Sequence, residues 1–174
     1  MNILDGKATS LRLQEEIADK VDTIMAAGGK RPHLAAVLIG DDPASHAYVG
    51  HKVKACAKAG FESSTIERGA DISQTELLEI VRDLNSNSSV DGFIVQLPLP
   101  DHLNAIEVIE AIDPRKDVDG FHPVNVGKMS LGLPTFLPAT PAGILTLLER
   151  HEVLTEGMHA VIIGRSDIVG NPMS

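Results

Sequence analysis

The chain has 174 residues, 43% of them hydrophobic, enough to fill one globular core or one core and the beginning of a second. Its formal net charge of −9 argues against nucleic acid or an acidic membrane surface as partner, while leaving room for an anionic small molecule in a locally basic pocket. Cys56 is the only cysteine, which excludes an intrachain disulfide and fits a reducing, cytoplasmic compartment. The opening Met1–Lys7 has no apolar signal-peptide core, and no apolar run is long enough to span a bilayer.

From Thr9 to Ala27, the residues Leu13, Ile17, Val21 and Ile24 recur at helical spacing, and Gly28-Gly29 stops the pattern. His33 to Gly40 reads as a buried strand. Asp42 is positioned to cap the next helix, with Pro43 at its first position and Gly60 beyond its end. Phe61 to Glu67 reads as a second strand. Ser73 and Glu76 form a capping box for a helix through Leu84. Gly92 to Leu97 is a third strand, which Pro98 and Pro100 end, and Asn104 to Ile112 is a short helix. Asp113 to Ala139 is rich in Pro, Gly and Asp and reads as a long structured loop. Thr140 then caps a helix from Pro141 to about Arg150, and His159 to Gly164 begins a new strand. This alternation predicts an α/β fold with a mostly parallel sheet covered on both faces, the strands at 33–40 and 92–97 being neighbours. Ligands on such sheets bind beyond the carboxyl ends of the strands, so the loops after Gly40 and Leu97 are where a site is expected.

Four constellations carry chemistry. Tyr48 and Lys52 lie four apart on a predicted helix and project from one face. A lysine beside a phenol and an apolar wall can do general acid–base work; equally, an aromatic ring packed on a lysine stem is common on helix surfaces. The same Tyr-x-x-x-Lys pair serves short-chain dehydrogenases, but there it follows a glycine-rich turn, whereas here it precedes the only such turn. Gln96 ends a buried strand, where an amide needs partners: it either ties down the following loop or faces a site. Lys116–Pro123 is dense in polar groups. A carboxylate there can accept hydrogen bonds from a substrate amine or amidine, or can stabilise its own turn. The run lacks the later acidic ligands of a calcium loop, and the histidines lack zinc spacing, so no metal is expected. Finally, Val161–Pro172 reads as a strand, a glycine-bearing turn and a helix start. Such a turn lets a phosphate approach the backbone, yet it also occurs as a plain strand-to-helix connection.

Taken together these segments are far more specific than any one of them. Ser45-x-x-Tyr48-Val49-x-x-Lys52, the Asp-Gly-x-x-Val-Gln-Leu-Pro-Leu-Pro run ending at Pro100, Lys-Asp-Val-Asp-Gly-Phe-His-Pro at 116–123, Thr-Pro-x-Gly at 140–143 and Gly-Arg-Ser-x-x-Val-Gly-x-Pro at 164–172 stand in the order found in one family. With Leu4-Asp5-Gly6-Lys7, they make essentially the whole chain resemble the bifunctional methylenetetrahydrofolate dehydrogenase/methenyltetrahydrofolate cyclohydrolases.

The resemblance implies a three-layer, folate-binding catalytic domain over residues 1–139. It implies that 140–174 is an interdomain helix and the truncated start of a Rossmann-like nucleotide-binding domain. It implies oxidation of 5,10-methylenetetrahydrofolate by NADP, with NAD an alternative, and hydrolysis of the methenyl product to 10-formyltetrahydrofolate, a one-carbon donor of purine biosynthesis. Lys52 matches the family's proton-transferring lysine, Tyr48 the tyrosine that stacks on folate, and Gln96 the glutamine that holds the lysine. Asp119 matches the carboxylate that grips the pterin; Leu97, Pro98, Pro141 and Gly143 match substrate-site positions. Gly164, Arg165 and Ser166 match the turn facing the nucleotide. Tyr48, Lys52, Gln96 and Asp119 are therefore expected to line one cleft. A homodimer is implied for the complete enzyme. The chain departs from many members in having Ala139 where they have cysteine, and in stopping at Ser174, inside the second domain. A folate-binding module without redox activity, and an unrelated α/β interaction domain, are the competing readings.

Overall fold

A computed structural model of the chain describes residues 3–174; Met1 and Asn2, which open the stretch read as lacking a signal-peptide core, lie outside the described residues. The first helix, α1 (Gly6–Ala26), begins where Asp5 Oδ1 accepts the Ala8 N–H at 2.9 Å. That is earlier than the Thr9 start expected from the apolar stripe, because the first turn carries none of the periodic residues. Three strands follow, β1 (His33–Ile39), β2 (Glu62–Arg68) and β3 (Gly92–Val95), with α2 (Pro43–Lys58) and α3 (Gln74–Ser86) as the crossovers. Both crossovers start with the predicted caps. Asp42 accepts from Ser45 N ahead of Pro43, and Ser73 and Glu76 exchange the two bonds of a capping box.

The strands form one parallel sheet in the order β2-β1-β3, with Ala35 opposite Phe93 and Ala36 opposite Ile94. The period of two divides the side chains between its faces. Ala35, Val37, Ile39, Phe93 and Val95 pack with Leu77, Val81 and Leu84 of α3 and with Val108 of α4 (Ala105–Ala111). Ala36, Leu38 and Ile94 pack on the other face against Val49 and Val53 of α2, which α1 backs. Phe93, Leu38, Leu77, Val37, Val81 and Val108 are fully buried, each stabilising the fold by roughly 1.5–3 kcal/mol relative to exposure. The result is an α/β fold of three layers with a parallel sheet, as expected. The free edge of β3 is partly covered. Phe93 N donates to Lys116 O at 2.9 Å, and Phe93 and Asp117 form an isolated parallel bridge.

Four expectations need correction. The stretch 113–139 is not all loop: α5 (Pro123–Ser130) forms within it, capped by His122 and started by Pro123. Asparagine, glycine and a proline at the first position disguise a short helix that needs no apolar stripe of its own. The last helix, α6 (Ala139–Arg150), has Pro138 as its N-cap without a side-chain bond, so Thr140 lies inside the helix and does not cap it. The third strand ends at Val95, and Gln96 lies just past it, although Gln96 N still donates to Val37 O at 2.9 Å. Residues 159–164 form no strand, and Val161 and Ile163 are 73% and 99% exposed. A parallel strand exists only through its neighbours, and the described residues offer this one none. Helix α6 is fastened back to α1 by the Arg150 guanidinium, which donates to both Glu16 oxygens at 2.6 Å, and by Asp5 N, which donates to His151 Nε2 at 3.2 Å. Among the described residues no helix is long and apolar enough to cross a membrane.

Candidate active site

Three elements converge beyond the carboxyl end of β3. The first is α2. Its cap holds the Asp42 carboxyl below the usual range, because the Ser45 hydroxyl and then the Ser45 N–H donate to it. This fixes the helix start after β1, and with it the face that carries Tyr48 and Lys52 one turn apart. The second is the chain leaving β3. There Gln96 Nε2 donates to Leu97 O at 2.6 Å, which leaves Oε1 as the end of the amide that faces Lys52. Lys52 Nζ donates to that oxygen at 3.3 Å. The third is the loop 113–122, which brings Asp119 Oδ1 to 4.0 Å from Lys52 Nζ. Burial pushes the Asp119 carboxyl above its ordinary pKa; the Lys52 ammonium pulls it back, and the neighbouring Asp117 carboxylate adds to the rise. A mostly buried carboxyl facing a lysine is suited to accept hydrogen bonds from a nitrogen-rich ligand, and the pair is suited to move a proton.

The loop that carries Asp119 is built rigidly. At its start Asp113 accepts from Arg115, whose guanidinium and N–H hold the Asp113 carboxyl down at about 2. Lys116 Nζ donates to Leu84 O and Asn87 O, anchoring the loop to the end of α3. Asp117, 2% exposed, accepts from Gly120 N, His122 N and Asn125 Nδ2. Gly120 has φ +70, and a Cβ there would meet Leu137 C and Phe136 O at 2.8 Å, so only glycine lets the loop lie against the 136–138 backbone. That approach sets the start of α6 beside Asp119.

Lys52, Gln96, Leu97, Asp119, Phe121, Ala139, Thr140, Ile168 and Val169 line a cavity of about 240 Å³. Phe121 and Ile168 also line a neighbouring apolar cavity of about 290 Å³ with Ile106, Ile109 and Val126. Of the residues singled out in the sequence, Lys52, Gln96, Leu97 and Asp119 come together. Tyr48 stands one helical turn away, 61% exposed, and is not part of the cavity wall. Pro98 and Gly143 are exposed and Pro141 is buried, and none of the three lines this cavity. Gly164, Arg165 and Ser166 lie in an exposed turn apart from it. Ser166 Oγ accepts from Val169 N and Gly170 N at 3.2 Å, and a Cβ on Gly170 would meet Gly164 C at 2.6 Å. The N–H groups of Arg165 and Ser166 have no acceptor among the described residues. The motifs contain Phe121 and Val169 without giving them a role, and they give Thr140 only that of a helix cap; the position of Phe121, two beyond Asp119, is the one sequence hint that it shares a wall with it. Among the described residues no group of three or more His, Cys, Asp or Glu is placed to hold a metal ion.

Comparison with known proteins adds four findings. The sequence model of the tetrahydrofolate dehydrogenase/cyclohydrolase catalytic domain matches residues 4–119, and that of the family's NAD(P)-binding domain matches 138–174. The bifunctional protein FolD of Bacteroides thetaiotaomicron is 58% identical over 174 residues, 100% of this chain and 59% of that protein. A crystal structure of the bifunctional FolD methylenetetrahydrofolate dehydrogenase/cyclohydrolase from Campylobacter jejuni matches with a TM-score of 0.96 and 48% identity, over 99% of this chain and 61% of that one. The Trypanosoma brucei enzyme, solved with NADP and an inhibitor, matches with a TM-score of 0.94 and 32% identity, over 99% and 59%. The chain therefore spans about three fifths of the length of these relatives.

Proposed function

This chain belongs to the tetrahydrofolate dehydrogenase/cyclohydrolase family, and on that premise we propose that its cleft binds 5,10-methylene- and 5,10-methenyltetrahydrofolate and serves their oxidation and hydrolysis. Residues 1–139 act as the folate domain, and 140–174 as the interdomain helix and the beginning of the nucleotide domain. One observation carries the reading: Lys52 Nζ stands between Gln96 Oε1 at 3.3 Å and Asp119 Oδ1 at 4.0 Å, on the wall of a cavity.

In the hydrolytic step water adds to the methenyl carbon of the cation. Lys52, in its amine form, takes one proton from the water, which leaves a hydroxyl on the carbon between N5 and N10. The carbon–N5 bond then breaks as N5 gains a proton and the hydroxyl gives one up, so the formyl group remains on N10 and one proton is released overall. Gln96 holds Lys52 towards the reacting carbon. Asp119 accepts hydrogen bonds from the pterin's amino and ring N–H groups. Leu97 and Pro98 form the wall beneath the ring, Tyr48 closes over the ligand from its exposed place on α2, and Pro141 and Gly143 border it from α6.

The turn at 164–170 fits a dinucleotide. Its glycines keep the backbone bare, the Arg165 and Ser166 N–H groups are open, and the Arg165 guanidinium is available to an extra phosphate, which favours NADP over NAD. When bound, the nicotinamide supplies the hydride acceptor for the oxidative step. The complete protein is a cytoplasmic homodimer whose product feeds purine biosynthesis. The test is whether this chain binds 5-formyltetrahydrofolate and accelerates loss of methenyltetrahydrofolate absorbance. Absence of both removes the folate reading and favours an α/β interaction domain; binding without turnover favours a folate-binding module.

A further inference from the structure

We infer that Asp117 is the positioning residue of this site, setting where Asp119 stands relative to Lys52. A carboxylate only 2% exposed is costly to bury, and it is tolerated where its oxygens are fully used by donors. Asp117 meets that condition. Its Oδ1 accepts from Gly120 N at 3.1 Å, and its Oδ2 from His122 N and Asn125 Nδ2 at 2.8 Å each. Gly120 follows directly on Asp119 and, with His122, flanks Phe121, so the clamp from Asp117 to His122 encloses the two residues of this turn that reach the cavity. The root of the clamp is equally fixed, since Asp117 bridges to Phe93 of β3 and Lys116 Nζ is tied to Leu84 O and Asn87 O. Between these ties Val118 packs against Ile94 and Val49, Gly120 lies against the 136–138 backbone, and Asp119 is left to face Lys52. A hydrophobic residue at 117 would fill the same space without holding either N–H. An asparagine would turn an N–H₂ towards at least one of these donors.

The experiment compares this chain with Asp117→Asn and with Thr135→Ala, whose hydroxyl donates to Asn125 Oδ1 at the far end of the same network. Crystal structures give the Lys52 Nζ–Asp119 Oδ1 separation, and calorimetry gives the Kd for 5-formyltetrahydrofolate. In Asp117→Asn the separation grows from 4.0 Å to beyond about 6 Å, outside the reach of a strong charge–charge influence. The Kd weakens about tenfold or more, as loss of charge-assisted bonds implies, while unfolding remains cooperative. Thr135→Ala keeps the separation and changes Kd by less than about twofold.

An unchanged separation in Asp117→Asn, or an equal displacement in Thr135→Ala, overturns the inference. Should Asp117→Asn not fold, Asp117→Glu, which keeps the charge but shifts it by one methylene, carries the same expectations. The affinity arm rests on the folate reading and the crystallographic arm does not. A wild-type chain that binds no folate therefore defeats that reading and leaves this inference to be decided by the separation.

Discussion

Asp117 and Asp119 are two residues apart in one loop, yet one carboxylate is consumed by the loop's own N–H groups while the other faces Lys52 across 4.0 Å. The second arrangement has a cost in stability that pH reveals. Burial raises the Asp119 carboxyl above its unfolded value, so its contribution to folding is fully present below the ordinary aspartate range. It is lost as pH rises through the folded value, because the folded state must then bury a charge. Asp119→Asn does not titrate. It should be more stable than the parent at about pH 8, show a smaller difference at about pH 4, and bind reduced folate more weakly. Urea unfolding at the two pH values, with calorimetry, checks all three; a variant less stable at the higher pH contradicts the account.

Asp113 should behave in the opposite sense. Its carboxyl is held at about 2 by the Arg115 side chain first and the Arg115 N–H second. A depressed value contributes stability above the unfolded pKa of 3.8, and this is lost as pH falls towards about 2. Carbon-13 NMR of the Asp113 carboxyl should follow this titration. In Arg115→Ala the midpoint should return only part of the way, because the backbone donor remains.

Lys52→Met should reduce methenyltetrahydrofolate hydrolysis about a hundredfold or more, the scale of a lost general acid–base group. Stability should stay within about 0.5 kcal/mol, since the side chain is 38% exposed and belongs to no core cluster. Parental turnover in folded Lys52→Met would remove the lysine from the chemistry.

Two glycines should separate backbone need from empty space. Gly120→Ala meets both a positive φ and the 136–138 backbone, and should cost about 2 kcal/mol or more in urea unfolding. Gly143 lies within α6 with nothing within 4 Å of an added Cβ. Gly143→Ala should stabilise by about 0.5–1 kcal/mol through helix propensity. If that methyl also weakens folate binding, Gly143 borders the ligand; unaltered binding excludes it from the site.

The exposed apolar run Met158, Val161 and Ile163 predicts concentration-dependent self-association of this chain. Sedimentation across a concentration series should detect it, and Ile163→Lys, at a side chain 99% exposed, should suppress it without changing the melting of the sheet. Equal association of the variant would point to another surface.

What the sequence disclosed followed from how local each cause was. The Asp42 and Ser73–Glu76 caps depend on neighbours in the chain, and the β1–β3 pairing follows from the regular alternation of strand and helix. The strand at 159–164 failed because its apolar composition is necessary but its partners are not local. Helix α5 hid in a Pro- and Gly-rich stretch because its stability comes from the His122 cap and the buried Asn125 rather than from a stripe. In the site, Lys52, Gln96 and Asp119 were legible through motifs. The division between Asp117 and Asp119 was not: the self-stabilised turn describes Asp117, while Asp119 takes no part in those bonds and faces Lys52. Thr140 and Val169 reach the cavity only through the packing of α6 and the 166–170 turn.

The fastening of α6 to α1 bears on how the cleft can open. The family's nucleotide-domain match begins at 138, but Arg150 grips Glu16 and His151 receives the Asp5 N–H. Mechanically, then, α6 travels with the first domain. The next residue, Glu152, has φ 55, and Gly157 has φ 73, so the chain departs from regular geometry immediately beyond that fastening. A swing of the nucleotide half would pivot in 152–157, at the far end of α6 from the cavity. The helix would act as a fixed post: a few degrees of rotation in 152–157 would move the 164–170 turn across the mouth of the site while leaving Ala139 and Thr140 in place beside Asp119.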